Sequence, residues 1–436
     1  MKTIRSKMEA VLSKMKGTHS IMDTKRNQGS RKTNMRIRGI GLLVILCVML
    51  PLSGCWDAEE LNQRAVVSGI GIDRGPGNNN YVVSLQVIIA DEISGKIGRG
   101  GTPTTVYSAE GRSIIEAIRK ASIQVPRLMS TAHVRIVVIS EELAREGISD
   151  ILDFLDRDSD IRLTAKVFVA KEGIRALDVI AGLSPMGKIT AYTLAQKAEI
   201  SSREFGANYP VEVDDLIRDV LVPNSGPVIN GVDIEGSVEE VRKKSNLEAT
   251  DNLGLLVMSN LAVFKGDQMK GWLNEQESKG FVWLRNLLQN TSIVITPGDQ
   301  GVITLDVHRG KTSIQAILKD REDPVFIVKV MSQLSVREMD GTVDLRDPAA
   351  LNEMEKDVNE EIVKNIKAAV QKAQSLNSDI ICFGRTLELQ HPKVWKQLKS
   401  QWSEIFPKVA VEYQVDSIIR NSQMRDRSFK YNLKKE

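Results

Sequence analysis

The sequence predicts a mixed α+β/α/β protein: several sheet-and-helix domains in a row, the last an antiparallel sheet packed on one long amphipathic helix. Three observations carry this. Between residues 65 and 170, β-branched runs alternate with stretches of helical periodicity, the pattern of mixed layers. Between 301 and 338, two runs alternate apolar and polar residues, as strands with one covered face do. From Pro348 to Leu376, apolar residues recur every three or four positions over about 40 Å of helix.

In order, "RAVVSGIGIDRGPGNNNYVVSLQVIIADE" gives a strand near Ala65–Ile72, a Gly/Pro/Asn turn and a second strand over Tyr81–Ala90. A Gly-rich loop follows, Ser94–Pro103. Ser113–Gln124 has helical spacing, with apolar residues at 114, 115, 118 and 123. "HVRIVVIS" is a buried strand, "SEELAREGISDILDFLDRDSDI" is helical, and "LTAKVFVAK" is another strand. Residues 223–253 carry Pro223, Gly226, Pro227, Gly231 and a polar, charged run; a linker or domain boundary is expected there.

The expected domains are therefore 55–222 and 254–422, either of which could subdivide, with a polar tail at 423–436. The second domain opens with a hairpin around "KGDQ", between Leu261–Phe264 and Met269–Leu273. Its long helix has the stripe Leu351, Met354, Val358, Ile362, Ile366, Ala369 and Ala373, which is expected to be a core face. Pro392 opens a last helix with Trp395, Leu398, Trp402 and Ile405 on one face. Paired Trp can form a ligand platform; core packing is the preferred expectation. Pro407 ends that helix, and Val409, Val411, Tyr413 and Val415 alternate as a strand.

Charge is unevenly placed. Residues 1–54 hold 11 basic and 2 acidic residues, a charge of +9; the rest holds 48 basic and 54 acidic residues, a charge of −6. The mildly acidic body lacks the basic footprint of a nucleic-acid binder, and only 5 % of residues are aromatic. The basic N-terminus leads into Ile40–Leu52, 13 residues without a charge. A membrane-spanning helix needs about 20 apolar residues, whereas a signal-peptide core needs roughly 7–15. Residues 1–54 are therefore expected to be a signal peptide. "MRIRGIGLLVILCVMLPLSGC" is complete in itself, so residues 1–34 are either a long basic extension or follow from a misassigned start, with Met35 the true one.

The run ends in Leu52, Ser53, Gly54 and Cys55, which resembles the bacterial lipobox. Its small residues fit a narrow peptidase site, and the Cys55 thiol accepts a diacylglyceryl group. Cleavage would leave 382 residues with Cys55 first, and two acyl chains anchor stably where one is marginal.

Motifs for chemistry are incomplete. "GIGIDR" (Gly69–Arg74) lacks the third glycine and the helix start of a dinucleotide fingerprint. "DRDSD" (Asp156, Asp158, Asp160) has Ile161 and Val167 where a calcium loop needs Gly and Glu. No nucleophile elbow or P-loop occurs, and His133, His308 and His391 are scattered. Cys47 lies in the apolar run; with Cys55 acylated, Cys382 has no disulfide partner. No metal, cofactor or catalytic residue is expected.

"GCWDAEELNQRAVVSGIGID" resembles the start of the mature Ger(x)C spore germination proteins, the lipoprotein C subunits of nutrient germinant receptors. Cys55, Trp56, Asp57, Glu60, Leu61, Asn62, Gly69, Gly71 and Asp73 carry the match. "AHVRIVVISEELAREG", "ILDFLDRDSDIR", "LAVFKGDQMKGWLNEQESKGFVWLRN" and "DIICFGRTLELQHPKVWKQLKSQWSEIFPKVAVEYQV" resemble further family segments, so the likeness covers nearly all of 52–420. One departure is local. The family has Phe-Gly-Phe-Gly after the Asp, and here Ile381 and Cys382 occupy the first pair.

The resemblance implies a non-enzymatic lipoprotein of several mixed α/β domains on the outer face of the inner spore membrane. It implies assembly with two integral membrane subunits that respond to nutrients, and it leaves open whether this subunit touches the germinant. The alternative functions are a free-standing solute-binding lipoprotein that serves a transporter, and a tethered hydrolase.

Overall fold

The computed structural model describes residues 64–77, 81–94, 101–222, 225–297, 301–319, 323–339 and 344–421. The signal segment, the lipobox with Cys55, and the 423–436 tail lie outside the described residues.

The first sheet has nine strands: β1 (Arg64–Arg74), β2 (Tyr81–Ile88), β3 (Thr104–Gly111), β4 (Leu128–Ser130), β5 (Ile136–Ser140), β6 (Lys166–Ala170), β7 (Val228–Gly236), β8 (Gly254–Lys265) and β9 (Gln268–Trp272). Their order is β3-β2-β1-β5-β6-β7-β8-β9, with β4 beside the start of β1. The centre, β1-β5-β6-β7, is parallel, and both flanks are antiparallel. Parallel strands buried on two faces need continuous apolar runs, and Ile136–Ile139 and Val167–Ala170 are fully buried.

Helices cover both faces. One carries α1 (Ile114–Ser122), α2 (Ser149–Arg157) and α3 (Val213–Leu221), packed on Val137, Ile139, Val167 and Val169. The other carries α4 (Ala176–Ala181) and α5 (Thr190–Glu204), packed on Ile136, Val138, Phe168 and Ala170. A short helix, Glu141–Glu146, follows β5 directly.

The second sheet runs β10 (Thr291–Ile295), β11 (Ile303–Lys319), β12 (Asp323–Met339) and β13 (Ala410–Asn421) in sequence order. The expected antiparallel sheet holds for its first three strands, but β13 pairs parallel to β12, Val325 with Ala410 through Ser335 with Asn421. The long helix Pro348–Ser375 and the segment after it form a crossover, which returns the chain to the end where β12 began. Asp347 caps that helix through Ala349 N–H at 2.9 Å, and Pro348 occupies its first turn. Met354, Val358, Ile362, Ile366, Ala369 and Ala373 are buried as the stripe requires; Leu351 is only half-buried. The expected Pro392 helix is broken into Pro392–Leu398 and Trp402–Ile405, joined and ended by 3-10 turns.

Within the stretch expected as a linker or boundary, 223–253, the structure places a strand. This segment contains β7, a strand inside the larger sheet, paired parallel to β6 and antiparallel to β8. Pro227 and Gly226 precede the strand rather than interrupt it, and Gly231 lies in it under the Trp272 ring, where a Cβ would come within 2.7 Å of Cζ3. Residues on alternate sides of β7 and β8 also feed both cores. Val228, Leu261 and Val263 join the C-terminal core, while Ile229, Ala262 and Phe264 join the N-terminal one.

Candidate functional site

The expected functional residue, Cys55, and its box Leu52-Ser53-Gly54 lie outside the described residues. What the structure positions is the set of sequence segments singled out above, and three of them converge at the carboxyl end of the parallel strands.

The first is Gly69-Ile70-Gly71-Ile72-Asp73 in β1. A Cβ on Gly71 would stand 3.0 Å from Ile180 and 3.1 Å from the Ala176 carbonyl, and one on Gly69 would be 3.1 Å from Ile180. The absent side chains let α4 lie directly on the strand. Asp73 then accepts hydrogen bonds from Ala176 N (2.6 Å) and Leu177 N (2.9 Å), which satisfies the free N–H groups of that helix from a remote strand. Burial pushes the Asp73 carboxyl above its ordinary value against the pull of those N–H groups. The element that resembled a dinucleotide loop is thus a helix-docking device.

The second segment is the Ser140–Arg145 turn after β5, the third the Gly271-Trp272-Leu273 strand end. Glu141 is buried; it pairs with Arg145 at 2.9 Å and accepts from Trp272 Nε1 at 3.1 Å. Lys171, just past β6, places its ammonium 4.2 Å from the Trp272 ring centroid. Ser140 receives Leu143 N–H at the helix start. Asp73, Ser140, Glu141, Arg145 and Lys171 line an open crevice of about 530 Å³ together with Arg74 and Arg175. Helices leave β5 and β6 toward opposite faces of the sheet, the arrangement that opens a crevice beyond parallel strand ends.

The crevice arginines have carboxylate partners: Arg74 with Glu146 at 3.0 Å and Arg175 with Asp178 at 2.9 Å, besides Arg145 with Glu141. Such a site can recognise by charge and shape, yet its side chains hold one another rather than a nucleophile–base pair. The sequence signal for this cluster was the Ser140 cap before two Glu; the approach of Lys171 and Trp272, about 100 residues apart in the chain, left no local trace.

A second cluster explains the closing motif. Buried Asp379 accepts from Phe383 N (2.9 Å), Gly384 N (2.7 Å) and Trp402 Nε1 (3.0 Å). Trp395 and Trp402 meet edge-on at 5.3 Å, and Phe326 stacks on Phe383 at 4.4 Å. A Cβ on Gly384 would be 2.8 Å from Trp395. The Trp pair is therefore core, 9 % and 1 % exposed. Cys382 has φ +66°, the left-handed region that favours glycine, and it stands where the family pattern has Gly. Its Sγ receives Arg285 Nη1 at 3.1 Å, and burial pushes the thiol up.

In the acidic "DRDSD" run, Asp158 Oδ1 accepts from its own loop, Asp160 N and Ile161 N. Among the described residues no group of three or more His, Cys, Asp or Glu could hold a metal ion, and no helix is long and apolar enough to cross a membrane.

Comparison with known proteins agrees with this layout. Residues 57–234 match the spore germination protein N-terminal domain, and 259–423 match the spore germination B3/GerAC-like C-terminal domain. The two matches meet in the β7–β8 pair, where both cores are fed. Spore germination protein KC of Bacillus subtilis (strain 168) is 33 % identical over 403 residues, 91 % of this chain and 98 % of that protein. Spore germination protein B3 of the same strain is 21 % identical over 87 % of this chain and 96 % of its own length. The crystal structure of the GerBC protein superposes with a TM-score of 0.53 at 19 % identity, covering 84 % of this chain and 100 % of that one; this likeness shows the fold. The chain belongs to the Ger(x)C family of spore germination proteins.

Proposed function

We propose that this chain is the lipid-tethered, non-enzymatic C subunit of a spore nutrient germinant receptor, held on the outer face of the inner spore membrane by a diacylglyceryl group on Cys55. In this reading it assembles there with two integral membrane subunits. The observation that carries it is the pairing of family membership over nearly the whole body with Leu52-Ser53-Gly54-Cys55 directly ahead of that body. The non-enzymatic part is supported by what the family residues do. Asp73 and Asp379 bond to backbone N–H groups, Gly71 and Gly384 admit neighbours, and Trp272 and Trp402 donate to buried carboxylates.

The test is genetic. Spores in which this receptor is the only one are made with the gene deleted, restored, or restored as Cys55→Ala. Deletion should abolish the nutrient response and leave a receptor-independent trigger effective; Cys55→Ala should lose both membrane partition and most of the response. A normal nutrient response after deletion would overturn the receptor role. Full function and membrane retention of Cys55→Ala would overturn the anchor.

A further inference from the structure

The turn between α1 and β4 carries an unusual surface. Residues 117–140 contain no Asp or Glu, although the body as a whole is acidic. Within that stretch Arg119, Lys120 and Arg127 are exposed. Beside them Ile123 is 84 % exposed and Leu128 59 %. The turn is not loose: Gln124 N donates to Ala121 O and Val125 N to Ser122 O, both at 3.1 Å, so the backbone holds Ile123 outward. The acid nearest in sequence, Glu116, pairs with Lys120 at 3.0 Å rather than with Arg119 or Arg127.

Position gives this surface an occupant. Leu128 sits opposite Arg64 in the parallel β1–β4 pair, so the turn lies at the end where the body begins. Only residues 56–63 separate Arg64 from Cys55. Nine residue steps span at most about 30 Å. If Cys55 is acylated, as proposed above and as this inference requires, the turn is held within reach of the headgroups whatever path those residues take.

We propose that the Arg119–Leu128 turn is a membrane-contact surface: Ile123 and Leu128 enter the headgroup–acyl boundary of an anionic bilayer while Arg119 and Arg127 meet lipid phosphates. Exposed apolar side chains flanked by cations are the composition of interfacial anchors. Each cation near an anionic surface strengthens association roughly fivefold. Such a contact would be weak alone; the acyl chains supply the effective concentration that makes it persist. It fixes orientation: the amino ends of the parallel strands face lipid, and the crevice at their carboxyl ends faces away.

The test uses the full lipidated chain with Cys382→Gly, bound to phosphatidylglycerol vesicles. An environment-sensitive fluorophore is attached through Ile123→Cys, through Leu128→Cys or, at the far end of β6, through Glu172→Cys. Quenching by an aqueous reductant that does not cross bilayers should be severalfold slower at 123 and 128 than at 172. Equal rates at all three positions would overturn the contact, as would protection that arises only when membrane-protein subunits are added. The mass of the N-terminal peptide separates the two readings. Lipid present without protection removes this surface alone; lipid absent removes the anchor and this surface with it.

Discussion

At the scale of single residues, the family signature is made of groups whose partners are backbone atoms and aromatic rings. Asp379 is the sharpest case. Its carboxylate takes three N–H donors in the core, yet burial still raises its proton affinity above the ordinary 3.8. Asp379→Asn keeps an acceptor for Phe383 but turns an NH2 toward Gly384 N–H and Trp402 Nε1. Two orphaned buried donors at about 1–3 kcal/mol each outweigh relief from desolvating a charge, so the variant should lose about 2–4 kcal/mol. The sign of its pH dependence follows from the raised value. The native state holds the proton more tightly than the unfolded chain, so stability from Asp379 is fullest below 3.8 and falls as pH rises through the higher folded value. Urea midpoints should therefore show the gap between wild type and Asp379→Asn narrowing as pH rises from 3.8 through that value; a widening gap would mean the carboxyl is depressed. The left-handed backbone at Cys382 was not legible beforehand, because nothing local in "DIICFG" demands positive φ; only the family departure pointed at the position.

At the scale of elements, strong periodicity was legible and long-range pairing was not. β1, β2, β5, β6, the β8–β9 hairpin and the Pro348–Ser375 helix fall where alternation or a helical stripe placed them. β3 was missed because Thr104–Gly111 has only Val106, Tyr107 and Ala109 as apolar residues, and its burial comes from pairing with β2. α5 was missed because Ala, Ser and Thr blur its stripe. β7 was hidden by flanking Pro and Gly, and the parallel docking of β13 depends on a crossover that no window contains. For the site the same division holds: the expectation at Cys55 came from local sequence and lies outside the described residues, while the Glu141–Trp272–Lys171 meeting is a product of topology.

Glycine contacts test these element junctions. Gly280 lies in the helix Glu275–Leu284, and a Cβ there would be 2.0 Å from the Asn365 carbonyl oxygen of the long helix. Helix propensity alone would favour Gly280→Ala by about 1 kcal/mol. Overlap with a packed backbone costs about 3 kcal/mol or more, so the clash should win and the melting temperature should fall by several degrees. Gly266 in the hairpin turn has φ +59° and no atom near its missing Cβ. Gly266→Ala should therefore cost only the backbone strain, about 1–2 kcal/mol. Equal melting shifts for the two variants would remove the claim that close helix approach, rather than conformation, holds the Gly280 position.

At the scale of the whole molecule, the described body from residue 64 onward is one compact unit in which β7 and β8 of the first sheet contribute side chains to both cores. This bears on the anchoring proposed above: a surface fixed at the start of β1 would be continuous, through β5, β6, β7 and β8, with the core that holds the long helix. The composition of 223–253 suggests that the chain could be cut there, and in the structure that stretch contains β7. A fragment of residues 55–222 would lack β7, β8 and β9, leave β6 as an open edge, and expose Val167 and Phe168, which are now fully buried. A fragment of 254–436 would retain Leu261 and Val263 without Val228 beside them, and β8 without its β7 partner. Each piece should therefore unfold without a sharp transition and bind hydrophobic dyes. The uncut body should melt once in urea, with far-ultraviolet circular dichroism and tryptophan fluorescence sharing a midpoint. Trp283, Trp395 and Trp402 report the C-terminal core and Trp272 packs on the N-terminal one, so fluorescence is weighted to the C-terminal half while circular dichroism reports both sheets, and a fluorescence midpoint displaced from the dichroism midpoint would show the two halves unfolding separately. A cooperative transition from 55–222 alone would show that β7 is an accessory to a self-sufficient domain, and orientation imposed at the anchor would then stop at that domain instead of reaching the long helix.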